Sequence, residues 1–283
     1  MTSSSPLVGH GQPAAYFTFA SLTELGVPHA TTTRHCPGIT SFAEPILPEA
    51  PKPPFRSEAS EVLGATGLEM GRVSYARQVH GADAARVPAA GGFAGLVDIL
   101  VTAERGVPLA IFTADCLAIV LCDPAAGALG VAHVGWRGTV KGATQRAVRA
   151  IGEVGGQAGS LRAAIAPSIG PCCYEVDEPV TAEFARAFGD RWRAWATPSR
   201  AGRVMLDLWS ANEALLVEAG VAAGVDRESA AVHRVPSRAF VLVSAGQSGP
   251  PGHARRAALR PGLGVRPALA LPARPPPVRI TLP

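Results

Sequence analysis

Three short segments of this 283-residue chain place a side chain able to bind a metal or carry a proton beside glycine or another small residue. They are Gln78-Val-His80-Gly81, Thr113-Ala-Asp115-Cys116 and Ala132-His133-Val-Gly135-Trp136-Arg137-Gly138. Imidazole nitrogen and thiolate sulfur are ligands that zinc prefers, and three protein ligands with a fourth position open mark a catalytic zinc. His80, Cys116 and His133 satisfy that count. Their separations of 36 and 17 residues match no compact zinc signature, and a lone histidine or buried cysteine is usually just packed. The residues alone therefore leave several readings open. One is a metal centre, and another is a Cys116 thiolate with His133 as its base and no metal. A third is a protein that binds a ligand or partner without converting it.

Side chains so far apart in sequence meet only if the fold brings their segments together, and each segment stands where a strand would end. Residues 16–20 alternate as a strand does, and 27–34 supply another. The Pro-rich stretch 37–56 reads as a loop, followed by a helix over 59–68. Strands are then expected over 73–79, 97–101, 109–113, 117–121, 128–134 and 161–166, so Cys116 and His133 fall at strand edges or turns. Helices are expected over 139–151, where small and apolar residues recur among Lys141, Gln145, Arg146 and Arg149, and over 180–188 and 206–219. Strands outnumber helices and mix with them, which argues for a layered α/β or α+β domain.

Charge narrows the partners. The net charge of +4 invites a nucleic-acid reading, but eight arginines and no acidic residue follow Glu228. The body up to that point holds 18 basic against 22 acidic residues, a net of −4, so a basic groove is unsupported there. No run of apolar residues is long enough for a membrane helix, and the start, Met1-Thr-Ser-Ser-Ser-Pro6, has no basic segment leading into an apolar run. Five cysteines are too few for a disulfide framework. A cytoplasmic protein is therefore expected, with no membrane and no nucleic acid among its partners. Residues 1–12 are expected to be frayed, 13–231 to form the domain, and 232–283, which carry ten of the 26 prolines, to form an irregular Pro/Arg-rich tail.

Taken in order, Gln78-Val-His-Gly81, Thr113-Ala-Asp-Cys116, His133-Val-Gly-Trp-Arg-Gly138 and Ile169-Gly-Pro-Cys-Cys-Tyr-Glu-Val176 resemble the laccase-domain, or polyphenol oxidoreductase, family. Thr32-Thr-Arg34 and Val97-Asp-Ile-Leu-Val-Thr102 add to the likeness, which covers about residues 25 to 228. The family is understood as zinc-dependent purine nucleoside phosphorylases, with adenosine deaminase and methylthioadenosine phosphorylase activities also ascribed to it. The resemblance implies a layered α/β/α/β fold and His80, Cys116 and His133 as metal ligands; these three, with Asp115 beside Cys116, are the catalytic candidates. Leu117 and Val134 depart from the family pattern beside two of these ligands without touching the ligands themselves.

The implied partners are purine nucleosides and orthophosphate. Arginine's planar fork suits phosphate, and Arg34, Arg77 and Arg137 adjoin the matching motifs, although a surface ion pair is as ordinary a role for any one of them. Gln78 hydrogen-bonds substrate or a ligand, or merely ends its strand. Deamination at C6 of adenine would further need a proton shuttle; Asp115 could serve as one or orient a metal ligand, or simply cap a turn. Trp136 could stack on a purine or sit in the core, and Cys172 and Cys173 read as structural. Five histidines before the tail cannot furnish a blue copper site plus a three-copper cluster, so one metal is the economical reading. Copper(II) could still occupy a two-His, one-Cys site in place of zinc.

Family members usually close with a segment like Cys-Thr-x-x-x-x-x-Leu-Phe-Ser-Tyr-Arg-Arg-Asp, and nothing after Glu228 reads so. Removing one base from the Val232 codon, with permitted synonymous codons through Gly246, restores such a segment. The hypothesis is a reading-frame change near Val232. Sequencing the gene across that codon is expected to reveal the segment encoded in the neighbouring frame; an intact frame that does not encode it ends the idea.

Overall fold

The computed structural model describes residues 7–39, 52–53, 55–222, 226–227 and 239–243. The chain opens with strands β1 (Leu7–His10) and β2 (Tyr16–Phe19), short helix α1 (Ala20–Glu24) and β3 (His29–Thr32). Helix α2 (Ser57–Gly64) precedes β4 (Ser74–Tyr75), β5 (Ala84–Arg86), β6 (Gly92–Phe93), β7 (Ile99–Thr102), β8 (Leu109–Thr113), β9 (Leu117–Asp123) and β10 (Ala128–Val134). Next come α3 (Trp136–Val140), α4 (Ala143–Glu153), β11 (Arg162–Ile165), β12 (Glu175–Val176) and α5 (Glu178–Phe188). The order ends with β13 (Ala196–Pro198), β14 (Val204–Leu206), α6 (Leu208–Glu218), β15 (Asp226–Arg227) and β16 (Ala239–Val243).

Among the described residues these strands form a seven-stranded sheet ordered β1-β2-β3-β16-β8-β4-β6, a six-stranded sheet ordered β15-β11-β9-β10-β7-β5, and a small sheet of β12, β14 and β13. Both large sheets mix parallel and antiparallel pairs, as the mixed α/β class requires. Two-residue alternation divides the core. Ile99, Val101, Leu117, Ile119, Ala132 and Val134 face a helical layer that includes Ala147, Ile151, Phe184 and Leu216. Their neighbours Leu100, Ala118, Val120, Leu129 and Val131 pack against Leu109 and Ile111 of the other sheet. Ala110 and Phe112 on the far side of that sheet meet Ala59 and Leu63 of α2. Strands buried on both faces read as continuous apolar runs, which is the pattern of β8, β9 and β10. The two large sheets therefore lie face to face with helices packed outside them, a layered mixed α/β arrangement of the kind the resemblance implied.

Other differences have local causes. The helix expected over 139–151 is two helices, because Gly142 adopts φ 78° between α3 and α4, a left-handed turn that suits glycine. Asn212 of α6 ties them together again, accepting from Thr144 at 2.6 Å and donating to Thr139 at 3.0 Å. The strand expected over 73–79 stops at Tyr75, since the following residues leave the sheet to reach the other one. The N-terminus is not frayed through residue 12: β1 pairs antiparallel with β2 from Leu7 onward. In the segment expected to be irregular, 239–243 form β16, inserted between β3 and β8. The remainder of 232–283, and most of the expected loop 37–56, lie outside the described residues.

Candidate metal centre

The site follows from strand register. β10 pairs antiparallel with β9, and the terminal pair of this ladder, Val134 with Leu117, sets Cys116 across from Gly135. On its other side β10 pairs with β7, and Ala132 with Ile99 sets Asp98 across from His133, whose amide donates to the Asp98 carbonyl at 2.8 Å. His133 shares the parity of Leu129 and Val131, so its ring points into the space between the sheets. Cys116 lies in the link from β8 of one sheet to β9 of the other, and His80 lies in the link from β4 to β5, which likewise changes sheet. Two crossings and one strand end thus meet at one edge of the inter-sheet core.

The ligand atoms of His80, Cys116 and His133 all lie within 4.8 Å of one another. His80 Nε2 is 4.0 Å from Cys116 Sγ, and the two imidazoles meet edge to face with centroids 4.8 Å apart. This is the one such three-residue group among the described residues. The donor set fits a metal of the zinc type, and the surroundings fit it too. His133 donates through Nδ1 to Asp98 at 2.8 Å, which leaves Nε2 to the site and is the usual outer contact of a metal-binding histidine. A Cβ at position 135 would lie 2.7 Å from Cys116 Sγ and 3.6 Å from His80 Cδ2, so the glycine clears the space that the ligands share. Thr113, on the same face of β8 as Ile111, keeps a buried hydroxyl with no partner among the described residues.

Charge in the site is unevenly arranged. Burial opposes a proton on His133, but Asp98 and Cys116 outweigh it and raise its pKa to about 9. Burial, followed by the neighbouring His133, lowers that of His80. Asp98 is pushed up by burial yet held below the ordinary carboxylate range by His133 and by the amides of Gly81 and Val79. Burial first, then Cys116, pushes the Tyr174 phenol up to about 12.

The expected residues are not equally placed. Asp115 and Arg137 are exposed beside the trio, close enough that Tyr174 feels the charges of Cys116, Arg137 and Asp115 together. The Arg137 guanidinium lies over the Trp136 ring at 4.4 Å. Arg34 and Arg77 are exposed and follow β3 and β4, which run parallel to β8, so both leave the sheet at the same edge as Cys116. Gln78 is engaged with the backbone: its amide donates to the Phe112 carbonyl at 2.5 Å and accepts the Phe112 amide at 3.0 Å. That clasp ties the His80 link to the strand leading into Cys116. Asp98, Tyr174 and Lys141, which donates to the His80 carbonyl at 2.8 Å, were given no role by the sequence. A carboxylate opening the apolar run of β7 was the available signal for Asp98.

The family described as multi-copper polyphenol oxidoreductase laccase matches residues 56–240. A purine nucleoside phosphorylase of Deinococcus radiodurans is 40% identical over 202 residues, covering 70% of this chain and 77% of its own. An adenosine deaminase from an unknown prokaryotic organism is 37% identical over 144 residues, covering 51% of this chain and 55% of its own. The crystal structure of YlmD from Geobacillus stearothermophilus shares the fold with a TM-score of 0.69 at 24% identity, covering 86% of this chain and all of that one.

Gly135→Ala tests the shared space. Position 135 has extended backbone, φ −79° and ψ −178°, which alanine adopts freely, so the added methyl acts through its contact with sulfur. Overpacking of this kind costs about 1–3 kcal/mol, and zinc affinity is expected to fall by about tenfold or more in a chelator competition while the protein stays folded by circular dichroism. Unchanged affinity would contradict the geometry.

Proposed function

The chain belongs to the family described as multi-copper polyphenol oxidoreductase laccase, and from that premise we propose that it is a zinc-dependent purine nucleoside phosphorylase of the cytoplasm. In this reading it converts a purine nucleoside and orthophosphate to the base and ribose 1-phosphate, and deaminates adenosine as a second activity. The observation that carries the reading is the meeting of His80, Cys116 and His133 within 4.8 Å, in a chain whose relatives include proteins named for those two reactions. A single His/Cys group among the described residues suits one ion better than the copper cluster in the family's description. No helix among the described residues is long and apolar enough to cross a membrane.

His80, Cys116 and His133 would hold the zinc, which when bound supplies a Lewis acid for a substrate oxygen. The remaining tasks belong to the chain's own groups. Phosphorolysis needs the orthophosphate fixed against the anomeric carbon as the glycosidic bond loosens. Arg137, exposed beside the trio, presents a planar fork for that anion, with Arg34 and Arg77 emerging from the same sheet edge. Asp115 stands next to Cys116 with an exposed carboxylate that can accept and return a proton, as deamination requires. Trp136 packs against the core of the helical layer and lies under the Arg137 guanidinium, so it seats that arginine beside the trio.

Zinc-loaded full-length protein incubated with adenosine and orthophosphate is expected to yield adenine with ribose 1-phosphate, and some inosine, by chromatography. Cys116→Ala is expected to lose about a hundredfold or more of this turnover, since Lewis-acid stabilisation is worth several kcal/mol. Stripping the metal should abolish activity and returning zinc should restore it. Absence of both adenine and inosine contradicts the proposal, and undiminished turnover by metal-free protein would favour the Cys116 thiolate as nucleophile.

A further inference from the structure

Asp98 is wholly buried, 0% exposed, at the start of β7, and its carboxylate is engaged on both oxygens. Oδ1 accepts the His80 amide at 3.0 Å and the His133 Nδ1–H at 2.8 Å. Oδ2 accepts the amides of Val79 and Gly81 at 3.1 and 2.7 Å. Three successive amides turned toward one anion form a nest, and here the protein supplies the anion itself. Within the nest His80 takes φ 55°, a left-handed conformation uncommon outside glycine. Gly81 completes it, because a Cβ there would lie 3.3 Å from Oδ2.

From these contacts we propose that Asp98 is the positioning residue of the site, one carboxylate that sets both imidazoles as a unit. It fixes where the His80 link lies, and it decides which nitrogen His133 presents. The inference rests on the zinc reading of the trio and deepens it. Its logic is one of donors and acceptors. An ionised carboxylate only accepts, so all four bonds are satisfied and the His133 proton is kept on Nδ1. An asparagine must put an NH2 where one oxygen stood. Placed at Oδ2, it faces the Val79 and Gly81 amides donor to donor and releases the His80 link. Placed at Oδ1, it faces the His80 amide and also draws a lone pair from His133 Nδ1, which moves the ring proton to Nε2 and blocks that ligand.

Asp123 supplies a matched control. It is 2% exposed, accepts the amides of Ala125, Ala126 and Gln157 at 3.1, 3.2 and 3.0 Å and the hydroxyl of Ser160, and stands at the far end of β9 from Cys116. Full-length wild type, Asp98→Asn and Asp123→Asn are compared for zinc affinity by competition with a chromophoric chelator, and for the melting temperature of the metal-free protein. Outer-sphere partners of metal-bound histidines are worth about 10–100-fold in affinity, so Asp98→Asn is expected to weaken zinc binding by that factor. Asp123→Asn should lower the melting temperature while leaving zinc affinity within about twofold of wild type. Unchanged affinity in Asp98→Asn, or an equal loss in Asp123→Asn, overturns the proposal.

If Asp98→Asn does not fold, the ring nitrogens of zinc-loaded wild type decide. With 15N-labelled histidine, and His133 identified by its absence from His133→Gln, the expected spectrum has the proton on Nδ1 and the metal on Nε2. The reverse assignment overturns the proposal. Wild type that binds no zinc, or Cys116→Ala that binds it as tightly as wild type, overturns the zinc reading itself and this inference with it.

Discussion

The antiparallel ladder of β10 with its two neighbours is the constraint on which the site depends. Side chains in a ladder alternate with a period of two, so a slip of one residue turns every side chain to the other face. Here such a slip would send His133 into the helical layer and move Cys116 away from Gly135. Slippage is opposed by burial on both faces: the seven residues of β9 and the seven of β10 are all buried. Hydrophobic packing thus fixes the register, and the register brings Cys116, His133 and Asp98 together.

What the ladder cannot reach, the two crossings between sheets supply. His80 and Cys116 lie where the chain leaves the seven-stranded sheet for the six-stranded one, and Gln78, pairing its amide with both backbone groups of Phe112, binds one crossing to the approach of the other. Asp98 binds the same crossing to His133. Burying an ionised carboxylate is unfavourable unless its acceptor sites are filled, and at Asp98 three amides and one imidazole fill them. A polar arrangement so fully satisfied in a low-dielectric setting is rigid, which is what a ligand set assembled from three distant segments needs.

Much of this was legible in the sequence, for physical reasons that differ by residue. The strands 109–113 and 128–134 were read with their observed boundaries: the first is an apolar run that starts after Pro108 and ends at Thr113, and the second lies between Gly127 and Gly135. The three segments bearing His80, Cys116 and His133 stood out by composition, but nothing in spacings of 36 and 17 residues tells that they meet; that depends on tertiary pairing, and only the family resemblance pointed to it. Asp98 was visible as a letter in Val97-Asp-Ile-Leu-Val-Thr102, yet three of its four partners are backbone amides, which carry no sequence signal. Gln78 was read as a site residue or a strand end, and its engagement with Phe112 depends on strand order. Residues 239–243 read as part of a tail, although Ala-Phe-Val-Leu-Val is an apolar run of strand length, because composition was averaged over the Pro- and Arg-rich surroundings.

The account's central claim is that two imidazoles and one thiolate share one ion. X-ray absorption at the zinc edge of the purified, zinc-loaded protein tests it most directly. The account predicts a four-coordinate centre with one sulfur at about 2.3 Å and two imidazole nitrogens at about 2.0–2.1 Å. A spectrum without a sulfur neighbour, or with four sulfurs, would contradict it.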